Sequence, residues 1–309
     1  MKVVVTGGAG FIGANLCRRL LEDPAVSEVA VIDDLSTGLA SNLESVPVTM
    51  FEGSILDDEM LESAASGADA LVHLAAIPSV PRSIADPMRS HMANATGTLC
   101  VLEAARRHGL HTIVASSSSV YGSTPGMPKN VDMATRPMSP YAVTKAATEG
   151  YAMAYSTSFG LPTLAFRFFN VYGPLQPAGH AYAAVIPVFI EAALRGAPLQ
   201  VQGDGGQSRD FTFVDTVTDV IVSAVTRRVT NPVPVNLALG TNTDLLAVID
   251  ILSAQFGRSL DVQFGPPRAG DVRASQADAE PLRALFPDVQ PEPLRDGIAK
   301  AVAWMKSTS

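Results

Sequence analysis

The sequence predicts an α/β protein in which a doubly wound parallel sheet carries helices on both faces. In the first half of the chain, apolar β-branched runs alternate with segments whose apolar residues have helical spacing, a pattern typical of βαβ units. A glycine-rich segment directly after the first run supports the same fold class. The 309 residues, 47% of them hydrophobic, are enough for a large core.

The strands expected in this first half are KVVVTG, EVAVID, VTMFEG, ALVHLAA and HTIVASSS, and the helices expected between them are ANLCRRLLED, DEMLESAAS and ATGTLCVLEAARRHG. We expect the later run TLAFRFFNVYG to extend the sheet. Beyond Gly173, proline and glycine become frequent and the alternation becomes irregular. We therefore predict a first domain over residues 1–172, which also receives part of 212–240, and a smaller C-terminal domain over 173–309.

Composition excludes several classes of function. The formal net charge of −8 disfavours nonspecific binding to nucleic acid or to an anionic membrane. The two cysteines, Cys17 and Cys100, lack CxxC spacing, which indicates a reducing compartment. The five histidines form no ligand set, so no metal site is predicted. With no signal-peptide or membrane-spanning run, we expect a cytoplasmic protein without nucleic-acid or membrane partners.

The segment TGGAGFIG lies between the first strand and the first helix. Gly7, Gly10 and Gly13 permit a tight turn and let the backbone, including Phe11 and Ile12, approach a pyrophosphate at the helix N-terminus. A plain strand-to-helix turn is the alternative. The strand–turn–helix context favours a Rossmann-like dinucleotide site in the first domain.

An acidic pair, Asp33 and Asp34, follows the second strand, twenty residues after Gly13. A carboxylate at this place accepts hydrogen bonds from ribose hydroxyls and repels a 2′-phosphate. The following segment DDLSTGLASN contains no arginine that would bind that phosphate. We therefore expect Asp33 to bind NAD in preference to NADP, whereas a solvated loop acid fits Asp34 better.

The segment SPYAVTK carries the strongest chemical signal. Ser139 can cap a helix with Pro140 at its first position. Tyr141 and Lys145 then stand four residues apart on one helical face. A lysine ammonium beside a phenol stabilises the phenolate and lowers the tyrosine pKa, which yields a general acid–base. Alone, the pair could also be an ordinary surface pair.

The expected strand HTIV ends in ASSSSVYG, four hydroxyls followed by a valine and a tyrosine. Each buried hydroxyl without a partner costs free energy. Either this strand end faces solvent or its hydroxyls face a ligand.

Together these motifs resemble the extended short-chain dehydrogenase/reductase superfamily and, within it, the nucleotide-sugar 4-epimerases. The resemblance covers the whole chain, and its landmarks are TGGAGFIG, HLAA, ASSSSVYG, SPYAVTK, FRFFNVYGP, GDGGQSRDF and RAGDV. It implies an isomerase that uses NAD and epimerises a UDP-hexose through a transient 4-keto sugar. A dehydrogenase or reductase that releases NADH, and a non-catalytic NAD-binding sensor, are the alternatives. A non-catalytic sensor would tolerate loss of the Ser, Tyr and Lys set, so the presence of all three residues disfavours the sensor.

The resemblance assigns catalytic roles to Ser117, Tyr141 and Lys145: the serine binds the 4-oxygen, the tyrosine moves its proton, and the lysine also holds the nicotinamide ribose. Ser118 and Ser119 stand where sugar 4,6-dehydratases carry Asp and Glu. Because a hydroxyl is a poor replacement for a carboxyl acid–base, epimerisation is favoured over dehydration and decarboxylation.

Further contacts are implied by resemblance alone. Those to the cofactor are Ser54, Ile55, Leu74, Ala75, Ala76 and Asn94, the last also steadying the serine-bearing strand. Those to the substrate are Ser79, Arg82, Ser118, Asn170, Val185, Arg209, Arg268, Asp271 and Ser275. Arg209 and Arg268 resemble the pair that clamps the diphosphate, for which a planar guanidinium is suited. Surface ion pairs with Asp210 or Asp271 are the alternative for both arginines.

The sugar stays open at this stage. Ser275 stands where glucose-restricted members carry a bulky Tyr, and a small residue there permits an N-acetyl group without requiring it. A uronic acid would favour a cation near C6, for which His180, Arg82 and Arg273 are candidates. By resemblance the protein is a homodimer through the helices ATGTLCVLEAARR and SPYAVTKAATEGYAMAY, although both could instead pack only on their own sheet.

Overall fold

The computed structural model of the protein describes residues 1–179, 183–267 and 273–308. The strands in chain order are β1 (Lys2–Thr6), β2 (Glu28–Asp33), β3 (Thr49–Glu52), β4 (Ala70–His73), β5 (His111–Ser117), β6 (Thr163–Phe168), β7 (Asn170–Tyr172), β8 (Leu199–Gln202), β9 (Ser208–Arg209), β10 (Phe211–Phe213), β11 (Val235–Leu237), β12 (Thr243–Asp244) and β13 (Val262–Gly265).

The helices in chain order are α1 (Phe11–Glu22), α2 (Asp58–Ala65), α3 (Val80–Ala85), α4 (Pro87–His91), α5 (Gly97–His108), α6 (Pro140–Phe159), α7 (Val185–Leu194), α8 (Val214–Thr226), α9 (Leu245–Phe256), α10 (Glu280–Leu285) and α11 (Leu294–Thr308). A π-helical turn, Met92–Thr96, joins α4 to α5, and a 3-10 turn, Ser118–Tyr121, follows β5.

The chain divides into two compact units. The first unit comprises Met1–Pro125, Val131–Phe168 and Thr218–Leu237, and the second unit comprises Gly126–Asn130, Phe169–Val217 and Ala238–Ser309. The chain therefore leaves the first unit after β6 and returns to it at Thr218, within α8, before it forms β11.

A seven-stranded parallel sheet in the order β11-β6-β5-β4-β1-β2-β3 forms the first unit. The strand order reverses between β1 and β4, and the carboxyl ends of strands at such a reversal are where doubly wound folds bind ligands. Thr6 of β1 lies in register with Ile32 of β2 and His73 of β4. The predicted α/β doubly wound fold is confirmed.

Apolar side chains from the sheet and from α2, α5 and α6 form the core of this unit. Val4, Leu71 and Val114 on the strands pack with Leu102 on α5 and Ala152 on α6. Each fully buried aliphatic side chain of this size contributes about 1.5–3 kcal/mol relative to exposure. The packing holds α2, α5 and α6 against the sheet.

The run TLAFRFFNVYG does not extend the sheet over its whole length, so that expectation was wrong for its second half. Residues Thr163–Phe168 form β6, between β5 and β11. After Phe169 the chain enters the second unit, where Asn170–Tyr172 pair with Phe211–Phe213. An apolar run does not by itself tell which sheet each part of it joins.

Among its described residues, the second unit has three two-stranded sheets, β10-β7, β12-β9 and β13-β8. Its centre is aromatic, with the Tyr172 ring edge-on to Phe213 at 5.4 Å between centroids. Helix α11 approaches this pair at Gly297, where an added Cβ would lie 2.3 Å from Tyr172 Oη. A residue without a side chain is therefore required at this contact.

Candidate active site

Strand β5 and helix α6 carry the three residues predicted to be catalytic. Ser117 ends β5, and its Oγ accepts a hydrogen bond of 3.2 Å from Ser119 N in the 3-10 turn. Ser139 caps α6 by accepting from Ala142 N at 3.2 Å. This cap, predicted from SPYAVTK, starts the helix so that Tyr141 lies in its first turn.

Tyr141 and Ser117 are joined by a side-chain hydrogen bond within the first unit. Burial raises the pKa of the Tyr141 phenol, and the hydrogen bond from Ser117 opposes that rise. The sequence had led us to expect that Lys145 would lower this pKa. Instead Lys145 Nζ donates to Ala115 O at 2.8 Å, and burial is the largest influence on the phenol.

Lys145 is buried, and desolvation lowers the pKa of its ammonium to about 8. The side chain is therefore close to the pH at which it loses its charge. A group with such a pKa exchanges a proton readily near neutrality, which suits an acid–base site.

The glycine loop has the geometry of a phosphate cradle. Gly7 has a φ of +73°, and an added Cβ would lie 2.7 Å from Ala75 N. A Cβ on Gly13 would lie 2.1 Å from Gly7 O. Helix α1 begins at Phe11 with Gly10 as its N-cap, and within the part of the chain described here no side chain caps it and no acid lies in its first turn. Its first amides are therefore suited to a pyrophosphate, which fits NAD.

Asp33 has a structural role that the sequence did not reveal. Its carboxylate accepts from Ala9 N and from Leu35 N, each at 2.9 Å, and so ties the glycine loop to the end of β2. Burial raises the pKa of this carboxyl. Asp34 is exposed and accepts only a local bond from Ser36 N among the contacts of the described residues.

The segment after β4 lies directly against the glycine loop. Leu74 N donates to Thr6 O at 3.0 Å, and Ala75 N donates to Thr6 Oγ1 at 3.3 Å. His73 Nδ1 lies 2.7 Å from the same hydroxyl. Burial lowers the pKa of His73 to about 3, so its ring is neutral and structural.

The remaining predicted cofactor residues lie at the edges of this region. Ala76 follows Ala75 and is partly buried. After β3, Ser54 Oγ accepts from Leu56 N at 3.2 Å, and Ile55 is buried.

Asn94 lies in the π-helical turn, and its predicted support of the serine-bearing strand is corrected. Its Oδ1 accepts from Ile77 N at 2.7 Å, and its Nδ2 donates to Ile77 O and to Thr144 Oγ1. Asn94 therefore ties the segment after β4 to helix α6, not to β5. The extra residue of a π-helical turn, which local spacing does not reveal, directs its side chain.

Ser79 and Arg82 lie at the start of α3. Ser79 has a φ of +94°, unusual for a residue with a side chain, and its Oγ accepts from Arg82 N at 3.4 Å. Backbone strain of this kind persists mainly where function requires it. Within the described ranges Arg82 makes no ion pair and is partly buried.

Of the predicted substrate residues of the second unit, two lie next to each other. Ser208 O accepts from both Arg209 Nη1, at 2.8 Å, and Ser275 N, at 3.1 Å, so these two predicted residues are neighbours. Asn170 N donates to Asp210 O at 3.3 Å, and Val185 begins α7. The predicted Arg268 and Asp271, and also His180, lie outside the described residues.

Asp210 was considered as a simple ion-pair partner of Arg209, but its carboxylate has another role. It accepts from the backbone amides of Leu239, Gly240 and Ala277 and from the Thr241 hydroxyl, at 2.9–3.2 Å. It thereby ties β9 to two later segments of the second unit. Only its place directly after Arg209, in SRDF, pointed to it.

Within residues 1–179, 183–267 and 273–308, no three His, Cys, Asp or Glu side chains are grouped so that they could hold a metal ion. No helix in the same ranges has the length and apolar character to cross a membrane.

Comparison with known proteins identifies similar chains over the full length. Residues 3–240 match the NAD dependent epimerase/dehydratase family. The chain is 36% identical to UDP-glucose 4-epimerase of Mycolicibacterium smegmatis, with all of both proteins covered. It is 34% identical to UDP-N-acetylglucosamine 4-epimerase from Methanobrevibacter ruminantium, solved with UDP-N-acetylmuramic acid, at a TM-score of 0.93 over 100% of this chain and 99% of that one.

A third similar protein is UDP-glucuronic acid 4-epimerase from Bacillus cereus, solved with UDP-glucuronic acid and NAD. It is 30% identical to this chain with a TM-score of 0.88, and the match covers 100% of each chain. The three proteins act on UDP-sugars that differ at C2 and C6.

Proposed function

Because the chain belongs to the NAD-dependent epimerase/dehydratase family, we propose that it is a UDP-hexose 4-epimerase. NAD is the cofactor of this family and hence of this chain. Similar proteins that are UDP-glucose 4-epimerases support an NAD-dependent isomerase that acts on a UDP-sugar. The reaction on a particular UDP-hexose is the proposal.

One observation carries this choice within a family that also contains dehydratases. Ser117 is hydrogen-bonded to Tyr141. The next two residues are Ser118 and Ser119, which provide hydroxyl groups at positions where a dehydratase needs carboxyl groups. Removal of water or of carbon dioxide needs an additional acid–base or charge-stabilising group. Exchange of configuration at C4 needs only one proton carrier and one hydride carrier.

Several residues of the first unit would hold NAD. The amides of the loop from Gly7 to Gly13 suit the pyrophosphate, Asp33 suits the adenosine ribose, and Lys145 suits the nicotinamide ribose. When bound, NAD would supply the hydride acceptor for the sugar C4 and, in its reduced form, the hydride donor for the opposite face.

The protein residues handle the proton. As the C4 hydrogen leaves as hydride, the Tyr141 phenolate takes the proton of the 4-hydroxyl, and a C4 carbonyl forms. Ser117 Oγ donates a hydrogen bond to that carbonyl oxygen, and its hydrogen bond with Tyr141 opposes the rise that burial causes in the phenol pKa. In the second half Tyr141 returns the proton to the oxygen, so the site ends as it began.

The proposed sugar is of the UDP-glucose/UDP-galactose type, with the N-acetyl and uronic acid forms as the other candidates. The neighbouring Arg209 and Ser275 support a diphosphate–sugar contact in the second unit. Ser275 is small, which permits an N-acetyl group. Ser79 and Arg82 are the proposed polar contacts of the first unit.

We further propose a homodimer through α5 and α6. Val143, Tyr151 and Phe159 on α6 are 52%, 39% and 58% exposed, which is high for large apolar side chains. Analytical ultracentrifugation of the wild type against a Val143→Glu/Phe159→Glu variant tests this proposal, which expects a dimer that dissociates in the variant. A monomeric wild type would contradict it.

The 4-epimerase proposal is tested by running the reaction in D2O and recording product mass. Epimerisation through the 4-keto sugar returns the original hydrogen to C4, so we expect a product with the mass of the substrate and no carbon-bound deuterium. Loss of water or carbon dioxide, or incorporated deuterium, would contradict the proposal.

A further inference from the structure

A buried ion pair joins helix α6 to strand β6. Arg167 Nη2 donates to Glu149 Oε1 at 2.7 Å, and Arg167 Nε donates to Glu149 Oε2 at 3.0 Å. Each side chain is only 4% exposed. The bidentate geometry fixes both the distance and the direction between the two groups.

The pair lies directly behind the proposed catalytic residues. Glu149 is one helical turn beyond Lys145, and Arg167 is in register with Ser116, the residue before Ser117. Ser116 Oγ donates a hydrogen bond of 2.7 Å to Glu149 Oε2 and lies 3.2 Å from Lys145 O, a second acceptor. The same carboxylate thus holds both the strand and the helix that carry the site.

The network continues on the other side of Arg167. Its guanidinium carbon lies 4.7 Å from the centre of the Tyr121 ring, a cation–π contact. Tyr121 Oη, at the end of the turn after Ser117, donates to Asn236 Oδ1 at 2.7 Å. The polar residues on both sides of Ser117 are therefore tied to one buried guanidinium.

Stability alone does not explain this arrangement. Two charges withdrawn from water lose hydration that their attraction barely repays, and replacing both with apolar side chains of similar volume is often neutral or stabilising. What apolar packing cannot reproduce is a set of directional hydrogen bonds. The network therefore has its largest effect on the relative position of the elements it joins.

We propose that Glu149 and Arg167 are positioning residues, which fix the height of α6 against β5 and thereby hold Tyr141 and Lys145 opposite Ser117. This inference rests on the proposed function, because it assigns these two residues to the same reaction. They touch neither the sugar nor NAD in this assignment and act through the three catalytic residues.

The test compares single variants with a charge-neutral double variant. Glu149→Gln and Arg167→Met each leave a buried charge without its partner, so both are expected to lose stability as well as activity. Arg167→Lys keeps the charge but loses the fork, and we expect it not to restore kcat. Glu149→Leu/Arg167→Met removes both charges and is expected to recover the wild-type Tm.

The recovered double variant decides between positioning and mere stability. We expect its kcat to stay about tenfold or more below wild type, with a smaller change in KM, because misplacement of reacting groups by about 1 Å can cost up to about 10²-fold. A double variant that regains both Tm and kcat would overturn the proposal.

A second readout does not depend on turnover. In protein labelled with ¹³C at the tyrosine ζ carbon, and with Tyr141→Phe to assign the signal, NMR titration gives the pKa of Tyr141. The double variant has the net charge of the wild type, so a changed Tyr141 pKa reports displacement from Ser117, and we expect a further rise. An unchanged pKa would contradict the positioning role.

Tyr155→Phe is the matched control. Tyr155 Oη donates to Glu103 Oε1 at 2.5 Å, so this variant removes a contact of the same helix with α5 but not with β5. We expect its kcat and its Tyr141 pKa to equal those of the wild type. If the wild type epimerises no UDP-hexose, the proposed function fails, whereas the Tyr141 titration still decides the positioning role.

Discussion

Lys145 Nζ donates a hydrogen bond of 2.8 Å to the carbonyl oxygen of Ala115, two residues before Ser117 on β5. The contact ties the ammonium to the strand that carries the proposed catalytic hydroxyl of Ser117. It does not compensate fully for burial, which lowers the pKa of Lys145 to about 8. Keeping the Lys145 ammonium charged in the folded protein therefore lowers the free energy of unfolding, and this loss can be measured.

The first prediction concerns the pH dependence of stability. Between about pH 8 and the ordinary lysine pKa of 10.5, folded Lys145 is neutral while the unfolded chain still binds the proton. The unfolding free energy due to this group therefore rises with pH across that window, by about 1.4 kcal/mol per pH unit. Below pH 8 both states are charged and this contribution is flat.

Urea unfolding of the wild type and of Lys145→Met, at matched pH values from neutral to about pH 10, checks this slope. The difference between the two proteins isolates Lys145, because other titrating groups are common to both. A difference that stays constant with pH would contradict the lowered pKa.

Removal of the Tyr141 hydroxyl should slow turnover strongly without removing the cofactor. We expect Tyr141→Phe to lower kcat by about 10²–10⁴-fold, the range for loss of a general acid–base, while NAD affinity changes little. Steady-state kinetics and calorimetric titration with NAD measure the two quantities. Tyr151→Phe, on the exposed side of the same helix, is the control and should match the wild type. Retained turnover in Tyr141→Phe would exclude it as the proton carrier.

An added side-chain methyl should be harmful at Gly13 in the glycine loop and harmless at Gly150 on α6. Gly13→Ala places a methyl 2.1 Å from Gly7 O, a backbone atom, so the loop must distort and NAD binding should weaken at least about tenfold. The methyl added by Gly150→Ala on α6 meets no atom within 4 Å beyond its chain neighbours and the backbone of its own helix, so this variant should raise stability by up to about 1 kcal/mol. Thermal unfolding and NAD titration compare both. Unchanged NAD binding in Gly13→Ala would contradict the cradle.

Cofactor choice should depend on Asp33 and not on Asp34. In the wild type the Asp33 carboxylate repels the 2′-phosphate of NADP. Asp33→Ser should lower the preference for NAD, measured as the Kd of NADP divided by the Kd of NAD. Because the hydrogen bonds to Ala9 N and Leu35 N weaken, the same variant should lower the free energy of unfolding by about 1–3 kcal/mol. Asp34→Ser should leave the ratio unchanged. A ratio that is equal in all three proteins would remove Asp33 from cofactor recognition.

Local patterns in the sequence were sufficient for the fold class and for the strand end at Ser117 and the helix start before Tyr141. Strand–turn–helix context around Gly7–Gly13 and the cap at Ser139 are local features, and both are present in the structure. The strand that ends in Ser117 likewise lies inside the predicted sheet.

What could not be predicted depends on long-range contacts. Asn94 was assigned to the strand carrying the serines, but a π-helical turn directs it to Ile77 and Thr144. Glu149 and Arg167 meet only because α6 packs on β6, and neither stands in a motif of its own. No residue pattern near Ser79 indicates its positive φ.

The most direct test of the central claim uses purified protein without added NAD. UDP-glucose, UDP-N-acetylglucosamine and UDP-glucuronate are incubated separately, and proton NMR follows the anomeric signals. We predict that one tube reaches a mixture of the substrate and its 4-epimer without net NADH, which also identifies the sugar. If no tube converts even after NAD is supplied, the chain is not a UDP-hexose 4-epimerase acting on these sugars, and the account is contradicted.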